Sequence, residues 1–386
     1  MDDAQKALDE YEMLYKNAFD AKKVYLNKAL SDEALQILKR LNHKSVSDKD
    51  YKDIILPFWA RYNKTPEKFW FSYYGSRDSV VNPLFIPANI YFCEILPYLN
   101  DLTFKYATQD KGGLPERLPN IKQAKTIARR MSGLYYDGKM NMISKEKAID
   151  LCLSHNNKIV IKPSLFTSTS RGISVINPAE TKRDELEKTL EEAGVNYIVQ
   201  DKITQHPDLA KLNPSTTNTI RVNSFLSDEG VYIASSSLRV GSADQEIVER
   251  GLNDWLCEIN DDNTIGGKTI NLTRFDYDDD PDSRVSWKEC PCPAVDSTYI
   301  IPSMDKVRNT VKKAHPMLPH FRWIGWDFTV DEDGDPVLIE INLTSGQSWQ
   351  LVTCKPMFGD MTQYILDDYY IHRTMEKNHR QDRLFE

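Results

Sequence analysis

Between Gly325 and Asn342 the chain reads Gly325-Trp326-Asp327-Phe328-Thr329-Val330, a polar turn Asp331-Glu332-Asp333-Gly334-Asp335-Pro336, then Val337-Leu338-Ile339-Glu340-Ile341-Asn342. Two β-type runs around an Asp/Gly/Pro turn predict a hairpin. Asp327 falls early on the first strand, Glu340 and Asn342 late on the second, so antiparallel pairing brings the three together. Glu340 and Asn342 are two positions apart and share a face. Two carboxylates and an amide oxygen suit a hard cation such as Mg²⁺. The plainer alternative is an edge hairpin with solvated acids. Against it, Glu340 stands between Ile339 and Ile341 in a run that otherwise reads as buried, where a carboxylate needs a partner.

Three further segments carry chemistry. Lys158-Ile159-Val160-Ile161-Lys162-Pro163 is a strand ending in a lysine, and Ser164-Leu165-Phe166-Thr167-Ser168-Thr169-Ser170-Arg171-Gly172 follows it. Backbone N–H groups and hydroxyls of such a loop bind phosphate oxygens while the lysine supplies a point charge. No Walker A or GxGxxG spacing is present, and by itself the loop reads as a Ser/Thr-rich surface segment. Tyr197-Ile198-Val199-Gln200-Asp201-Lys202-Ile203 is a short apolar strand running into polar residues, of the kind whose backbone pairs with an adenine edge. Arg221 in Asn218–Val222 and Arg239 in Ser237–Val240 each sit inside a β run. They are either exposed-face residues or the cations that neutralise a transferring phosphoryl group.

The elements that must position these groups show in the periodicity. From about Ala4 to Asn42, apolar residues recur at mostly three- to five-residue spacing and predict one or two amphipathic helices. A helical, aromatic-rich block follows through Pro57-Phe58-Trp59, Phe69–Tyr74 and Ile86–Leu99, its aromatics assigned to a core. Asp110-Lys111-Gly112-Gly113-Leu114-Pro115 breaks the pattern and marks a boundary. Beyond Pro119, β runs at 159–161, 173–175, 197–199, 220–222, 231–233, 324–330 and 337–341 interleave with helical segments at 145–152, 182–193 and 304–314. That mixture predicts an α/β or α+β fold. No internal repeat or low-complexity segment is present. Asp276–Asp282 is acidic but lacks the glycine and terminal glutamate of a calcium loop, so a solvated turn is expected.

Composition bounds the partners. With 386 residues, 40% apolar and 27% charged, the chain has ordinary globular usage and room for two or three packed units. Its 49 basic against 57 acidic residues argue against a nucleic-acid partner. No apolar run is long enough to span a membrane, and the acidic, helical N-terminus is unlike a signal peptide; a cytoplasmic protein is expected. Of six cysteines only Cys290-Pro-Cys292 forms a close pair, so reduced thiols are expected rather than a zinc site.

Taken together and in this order, IVIKPS with its Ser/Thr/Gly loop, VQDKI, NTIRV, SLRVG and GWDF…IEIN resemble the ATP-grasp superfamily of carboxylate–amine ligases, over about Lys125 to Gly346. The hydroxyl-rich NPSTTNTIRV and the tail Gly346-Gln347-Ser348-Trp349-Gln350 are most similar to the sugar-transfer-associated branch, met in polysaccharide and cell-envelope biosynthesis. The resemblance implies two α+β subdomains gripping ATP, with residues 114–200 the first, 201–386 the second with the metal site and a C-terminal helix, and 1–113 a mainly helical region before them. It implies that Lys162 meets the α- and β-phosphates, that Thr167, Ser168 and Gly172 belong to the phosphate loop, and that Gln200, Asp201 and Ile203 line the adenine hinge. Arg221 and Arg239 fall where the family places cations around the γ-phosphate and acyl phosphate. Asp327, Glu340 and Asn342 match its Mg²⁺ (or Mn²⁺) ligands, with Asn253 a weaker candidate. The family's earlier lysine fits Lys125 by position, with Lys139 the alternative. Many relatives carry Glu where this chain has Asp201, and the helical first hundred residues are unlike the usual βαβ pre-domain, which leaves the acceptor-binding end unassigned. The implied activity joins a carboxylate to an amine through an acyl phosphate, the carboxylate a sugar or other small molecule. The loop Ser345–Trp349 is expected beside that intermediate. A phosphotransferase on the same fold and a non-catalytic nucleotide-binding partner of a glycosyltransferase assembly are the rival readings. Exposed apolar parts of the N-terminal helices offer a homodimer surface.

Overall fold

The β runs pair into two antiparallel sheets in the computed structural model, which describes residues 2–41, 45–165, 172–241, 255–266, 268–270, 287–289, 298–346 and 348–372. The first sheet holds β1 (Thr126–Met131), β2 (Leu134–Asp137), β3 (Met142–Ile143), β4 (Ile159–Pro163), β5 (Ser174–Ile176) and β6 (Tyr197–Asp201), in the order β3-β2-β1-β6-β4-β5. The second holds β7 (Thr219–Ser227), β8 (Gly230–Val240), β9 (Trp255–Glu258), β10 (Lys268–Ile270), β11 (Trp287–Glu289), β12 (Trp323–Val330) and β13 (Pro336–Asn342), in the order β11-β10-β9-β8-β7-β12-β13. Every pair of these strands is antiparallel, so of the two expected classes the fold is α+β.

Each sheet is covered on one face by the helices expected from the sequence. Ala148, Ile149 and Cys152 of the Lys145–Leu153 helix and Leu186 and Leu190 of the Arg183–Glu192 helix pack on Ile127, Ile159, Ile161 and Val199 of the first sheet. Ser144 starts the former helix by accepting from the Lys147 backbone N–H, the usual satisfaction of an orphan donor in a first turn. On the second sheet, Met304, Val307, Val311 and Ala314 of the Met304–Ala314 helix cover Ile220, Val222, Leu238, Trp326, Phe328 and Ile341. His315, at the end of that helix, is fully buried, takes its proton on Nε2 to donate to the Phe321 carbonyl, and accepts at Nδ1 from Ser224. Burial pushes its pKa down to about 4, so it is a neutral core residue at pH 7.

The N-terminal region does not form a layer of its own. Its buried aromatics Trp59, Trp70, Phe71, Tyr74 and Tyr91 share one core with Phe225, Leu256, Ile270 and Trp323 of the second sheet and with Leu351, Phe358 and Leu366 near the C-terminus. That core lies on the sheet face opposite the Met304–Ala314 helix. The helical region and the C-terminal segment therefore wall the same face that carries the polar residues described next. Cys290, Cys292 and the acidic run 276–282 lie outside the described residues.

Candidate functional site

Register alone assembles the centre of the site. Reading across the second sheet, Glu258 on β9 pairs with Ser237 on β8, Ser237 with Arg221 on β7, Arg221 with Asp327 on β12, and Asp327 with Glu340 on β13. Directly opposed residues share a face, so the five form one polar row on the face away from the Met304–Ala314 helix. Asn223 and Arg239 lie two positions to either side of Arg221 and Ser237 on this face, opposite Ser235 and Thr219. A β-bulge after Asp327 leaves Ile339 as an extra residue, since Phe328 pairs with Leu338. Bulges re-aim side chains, and this one sits beside Glu340. The hairpin expected from the sequence is thus present, with its three oxygen-bearing residues at one end.

The bonds within the row are charge-assisted. One guanidinium edge of Arg221 meets Asp327 bidentately, Nε to Oδ1 and Nη2 to Oδ2, the latter at 2.7 Å. Asn342 Nδ2 donates to Asp327 Oδ2 at 3.0 Å, which leaves the amide carbonyl as the end available to a cation. Gly325 is required at this position: a Cβ there would stand 2.5 Å from Ser345 Oγ and 3.0 Å from Asn223 Oδ1. Ser345 Oγ itself donates to Asn223 Oδ1 at 2.8 Å, and Asn223 Nδ2 to Ser235 Oγ at 2.9 Å. Tyr91 of the N-terminal region donates to the Ser345 carbonyl at 2.5 Å. The Arg221 guanidinium lies 4.8 Å from the centre of the Trp349 ring. Arg221 Nη1 also donates to Ser345 Oγ at 3.4 Å, so Ser345 and Trp349 both touch Arg221.

Two further cations approach, Lys162 from β4 and Lys111 from the turn whose N–H bonds the Ser164 carbonyl just after β4. Lys111 Nζ lies 3.2 Å from Glu340 Oε2. Lys162 ends β4 and feels both Lys111 and Glu340. Burial and the neighbouring Lys111 push the Lys162 pKa down to about 8, with Glu340 opposing them. Burial acts to raise the Glu340 pKa, yet Lys111, Arg221 and Lys162 outweigh it and hold the group down at about 2. Burial and the adjacent Glu340 raise Asp327, and Arg221 only partly offsets them. Three cations thus converge on two carboxylates, a local excess of positive charge suited to an anion that brings its own metal.

The donor set fits Mg²⁺. Asp327, Glu340 and Asn342 offer hard oxygens and no sulfur or imidazole. Among the described residues no group of three or more His, Cys, Asp and Glu side chains converges. Magnesium is commonly held by one or two carboxylates plus substrate phosphates rather than by an all-protein cage.

The remaining sequence candidates are placed as follows. Gln200 is buried on β6, its side chain donating to the Ala124 carbonyl at 2.9 Å. Asp201 donates its backbone N–H to the Lys125 carbonyl at 2.9 Å, and its carboxylate is held by His155 Nε2. Ile203 is half-buried in the connection leading to the second sheet, where Gln205 bridges to Asp331 just after β12. Lys125 is exposed just before β1, and Lys139 sits exposed in the β2–β3 turn. It is Lys111, read in the sequence only as part of a boundary, that reaches the acids. Gly172 has φ +74°, and a Cβ there would come 3.0 Å from Pro163 Cγ, so Gly172 itself packs against the end of β4. Thr167, Ser168 and Asn253 lie outside the described residues.

Sequence reasoning also missed the far end of the row. Glu258 is buried and held by Arg77 Nη1 at 2.9 Å and Lys355 Nζ at 2.5 Å, while Arg77 Nη1 also donates to the Val352 carbonyl. One residue from the N-terminal region, one from the sheet and one from the C-terminal segment are thereby tied together. Charged residues so distant in sequence give no periodic signal.

The family model described as sugar-transfer associated ATP-grasp matches residues 122–251 and 281–364. No curated protein matches the sequence. Among solved structures, the chain is similar to the VanG D-Ala:D-Ser ligase from Enterococcus faecalis, with 13% identity and a TM-score of 0.41 over 68% of this chain and 61% of that one. It is also similar to the ATP-grasp ligase PsnB complexed with a phosphomimetic variant of its minimal precursor, Mg and ADP, with 10% identity and a TM-score of 0.42 over 70% of this chain and 61% of that one. For the D-alanine–D-alanine ligase from Bacillus anthracis the values are 16% and 0.38, over 70% and 69%. The matched region spans 61% of the length of each of the first two structures.

Proposed function

Because the chain belongs to the sugar-transfer associated ATP-grasp family, we propose that it is an ATP- and Mg-dependent ligase that joins a carboxylate to an amine through an acyl phosphate. The observation that carries this reading is the convergence of Lys111 and Arg221 on Glu340 and Asp327, with Lys162 beside them. The division of labour proposed is residues 1–113 as a wall for the acceptor, 114–200 as the subdomain with the phosphate loop, and 201–386 as the subdomain with the metal site.

Lys162 and Lys111 meet the nucleotide phosphates, with Lys111 taking the place for which Lys125 or Lys139 was the expectation. Thr167, Ser168 and Gly172 close over the phosphates, and Gln200, Asp201 and Ile203 line the adenine. Bound Mg²⁺ or Mn²⁺, held by Asp327, Glu340 and Asn342, supplies charge neutralisation on the phosphate oxygens. Arg221 and Arg239 face the transferring group. A substrate carboxylate oxygen attacks the γ-phosphorus, the bond to the β-phosphate bridging oxygen breaks and ADP leaves. The amine nitrogen then attacks the acyl carbon, phosphate departs with the electron pair of the C–O bond, and the nitrogen loses a proton. No side-chain nucleophile is needed; positioning and electrostatics carry the rate.

For substrates, an amino acid or similar amine and a carboxylated, sugar-linked small molecule in cell-surface polysaccharide synthesis follow from the family description, with the cytoplasm as the place where ATP is available. No described helix is long and apolar enough to cross a membrane.

A screen of carboxylates and amines, scored by product, tests the reading. ADP with inorganic phosphate and an amide supports the ligase. ADP with a phosphorylated product means a phosphotransferase, and nucleotide binding without turnover across the screen favours a binding partner.

Lys162 adds a pH dependence. With its pKa near 8, it is protonated below that value and loses its proton above it. A bound polyphosphate favours the charged form and raises the pKa. Nucleotide binding above pH 8 is therefore expected to take up a proton and to weaken as pH rises. Calorimetry in buffers of different ionisation enthalpy reads both. Binding without proton uptake between about pH 8 and 10 contradicts the placement of Lys162 at the phosphates.

A further inference from the structure

The Asp2–Arg40 helix has two faces of opposite character. Ala34 and Ile37 are buried in the core under the second sheet, Leu30 packs against it, and Asn27 accepts from Cys93 Sγ at 3.5 Å. The other face carries Met13, Leu14, Val24 and Tyr25, which are 59%, 66%, 68% and 71% exposed. With 3.6 residues per turn, these four fall with Glu10, Asn17, Ala21 and Lys28 inside an arc of roughly 120°. All eight are exposed, and Lys16, Asp20 and Lys22 fall outside the arc. A cluster of large apolar side chains on an otherwise polar surface marks an interaction site.

The spacing within the arc identifies its occupant. Pair Met13 with Tyr25, Leu14 with Val24, Asn17 with Ala21 and Glu10 with Lys28: every pair is centred on residue 19. A single antiparallel register against an identical helix therefore sets each apolar residue against an apolar residue and each Glu10 against a Lys28. A foreign partner has no reason to match a pattern that is complementary to its own reverse, whereas a two-fold interface requires self-complementarity of this kind. We propose that this face pairs antiparallel with the same face of a second copy of the chain. Met13, Leu14, Val24 and Tyr25 form the apolar centre, and a Glu10–Lys28 ion pair closes each end, the two ends standing roughly 27 Å apart along the helix. The paired faces point away from the Leu30, Ala34 and Ile37 side of the helix that packs on the molecule. The inference stands independently of the reaction assigned to the nucleotide cleft.

Sedimentation velocity on the full chain tests it. At about 50 μM the wild type is expected to have a mass twice the chain's 44.5 kDa, with dissociation on dilution. Leu14→Glu combined with Val24→Glu is expected to be monomeric, with circular dichroism unchanged. Glu10→Lys alone sets like charges together at both ends and is expected to weaken the dimer about tenfold. Adding Lys28→Glu exchanges the charges and is expected to restore it. A monomeric wild type, a dimer that survives Leu14→Glu with Val24→Glu, or a double exchange no tighter than Glu10→Lys alone would each overturn the proposal.

Discussion

Glu340→Gln is expected to lower ATP turnover at least about a thousandfold, the scale on which one electrostatic group at a transferring phosphoryl centre acts. The side chain keeps its shape but loses its charge, so the cations Lys111, Arg221 and Lys162 are left facing Asp327 alone. Two binding effects follow with opposite sign. Metal-free ATP meets a more positive cleft and is expected to bind at least as tightly as to the wild type. The gain in affinity on adding Mg²⁺ is expected to disappear, because a ligand with full negative charge is gone. Titrating each variant with and without magnesium separates the two. A variant that keeps near-wild-type turnover, or keeps its magnesium dependence, would remove Glu340 from the metal site.

Arg221→Met is expected to cost roughly 3–5 kcal/mol of stability, the usual result of removing one partner from a buried ion pair. Asp327 is almost fully buried and both of its oxygens are bound by Arg221. With the guanidinium gone, its buried charge is left with the Asn342 amide and no cation bonded to it. The same substitution removes the cation stacked on Trp349, so turnover is lost as well. A second change distinguishes the two roles. Asp327→Asn in the Arg221→Met background removes the orphaned charge and is expected to recover much of the stability without recovering turnover. Urea unfolding of both variants reads this, and an Arg221→Met protein as stable as the wild type contradicts the account of the row.

Local signals made much of this structure legible. A hairpin announces itself through period-two alternation around an Asp/Gly turn, and because the side-chain period is two, Glu340 and Asn342 had to share a face. The Met304–Ala314 helix was readable from its apolar spacing, since one stripe must meet a core. The β-bulge at Ile339 was not readable, because the two-to-one mismatch is a property of a strand pair rather than of either strand. Lys111 was hidden for a related reason. Asp110-Lys111-Gly112-Gly113 is a loop by composition, and only the tertiary path, with the Lys111 N–H bonded to the Ser164 carbonyl, brings it beside β4 and Glu340. Lys125 fits the resemblance by position; its backbone carbonyl accepts from the Asp201 N–H while its side chain is exposed. The Arg77–Glu258–Lys355 cluster joins three segments remote in sequence and has no one-dimensional trace. The N-terminal aromatics read correctly as core, but not that the core would be shared with the site-bearing face of the second sheet.

The most direct test of the central claim is the calorimetric binding of Mg-ATP to the wild type and to Glu340→Ala, side by side, with no acceptor needed. The account predicts magnesium-dependent binding by the wild type and loss of that dependence in the variant. Absence of Mg-ATP binding by the wild type would contradict it, because the convergent lysines and carboxylates would then have no nucleotide to serve.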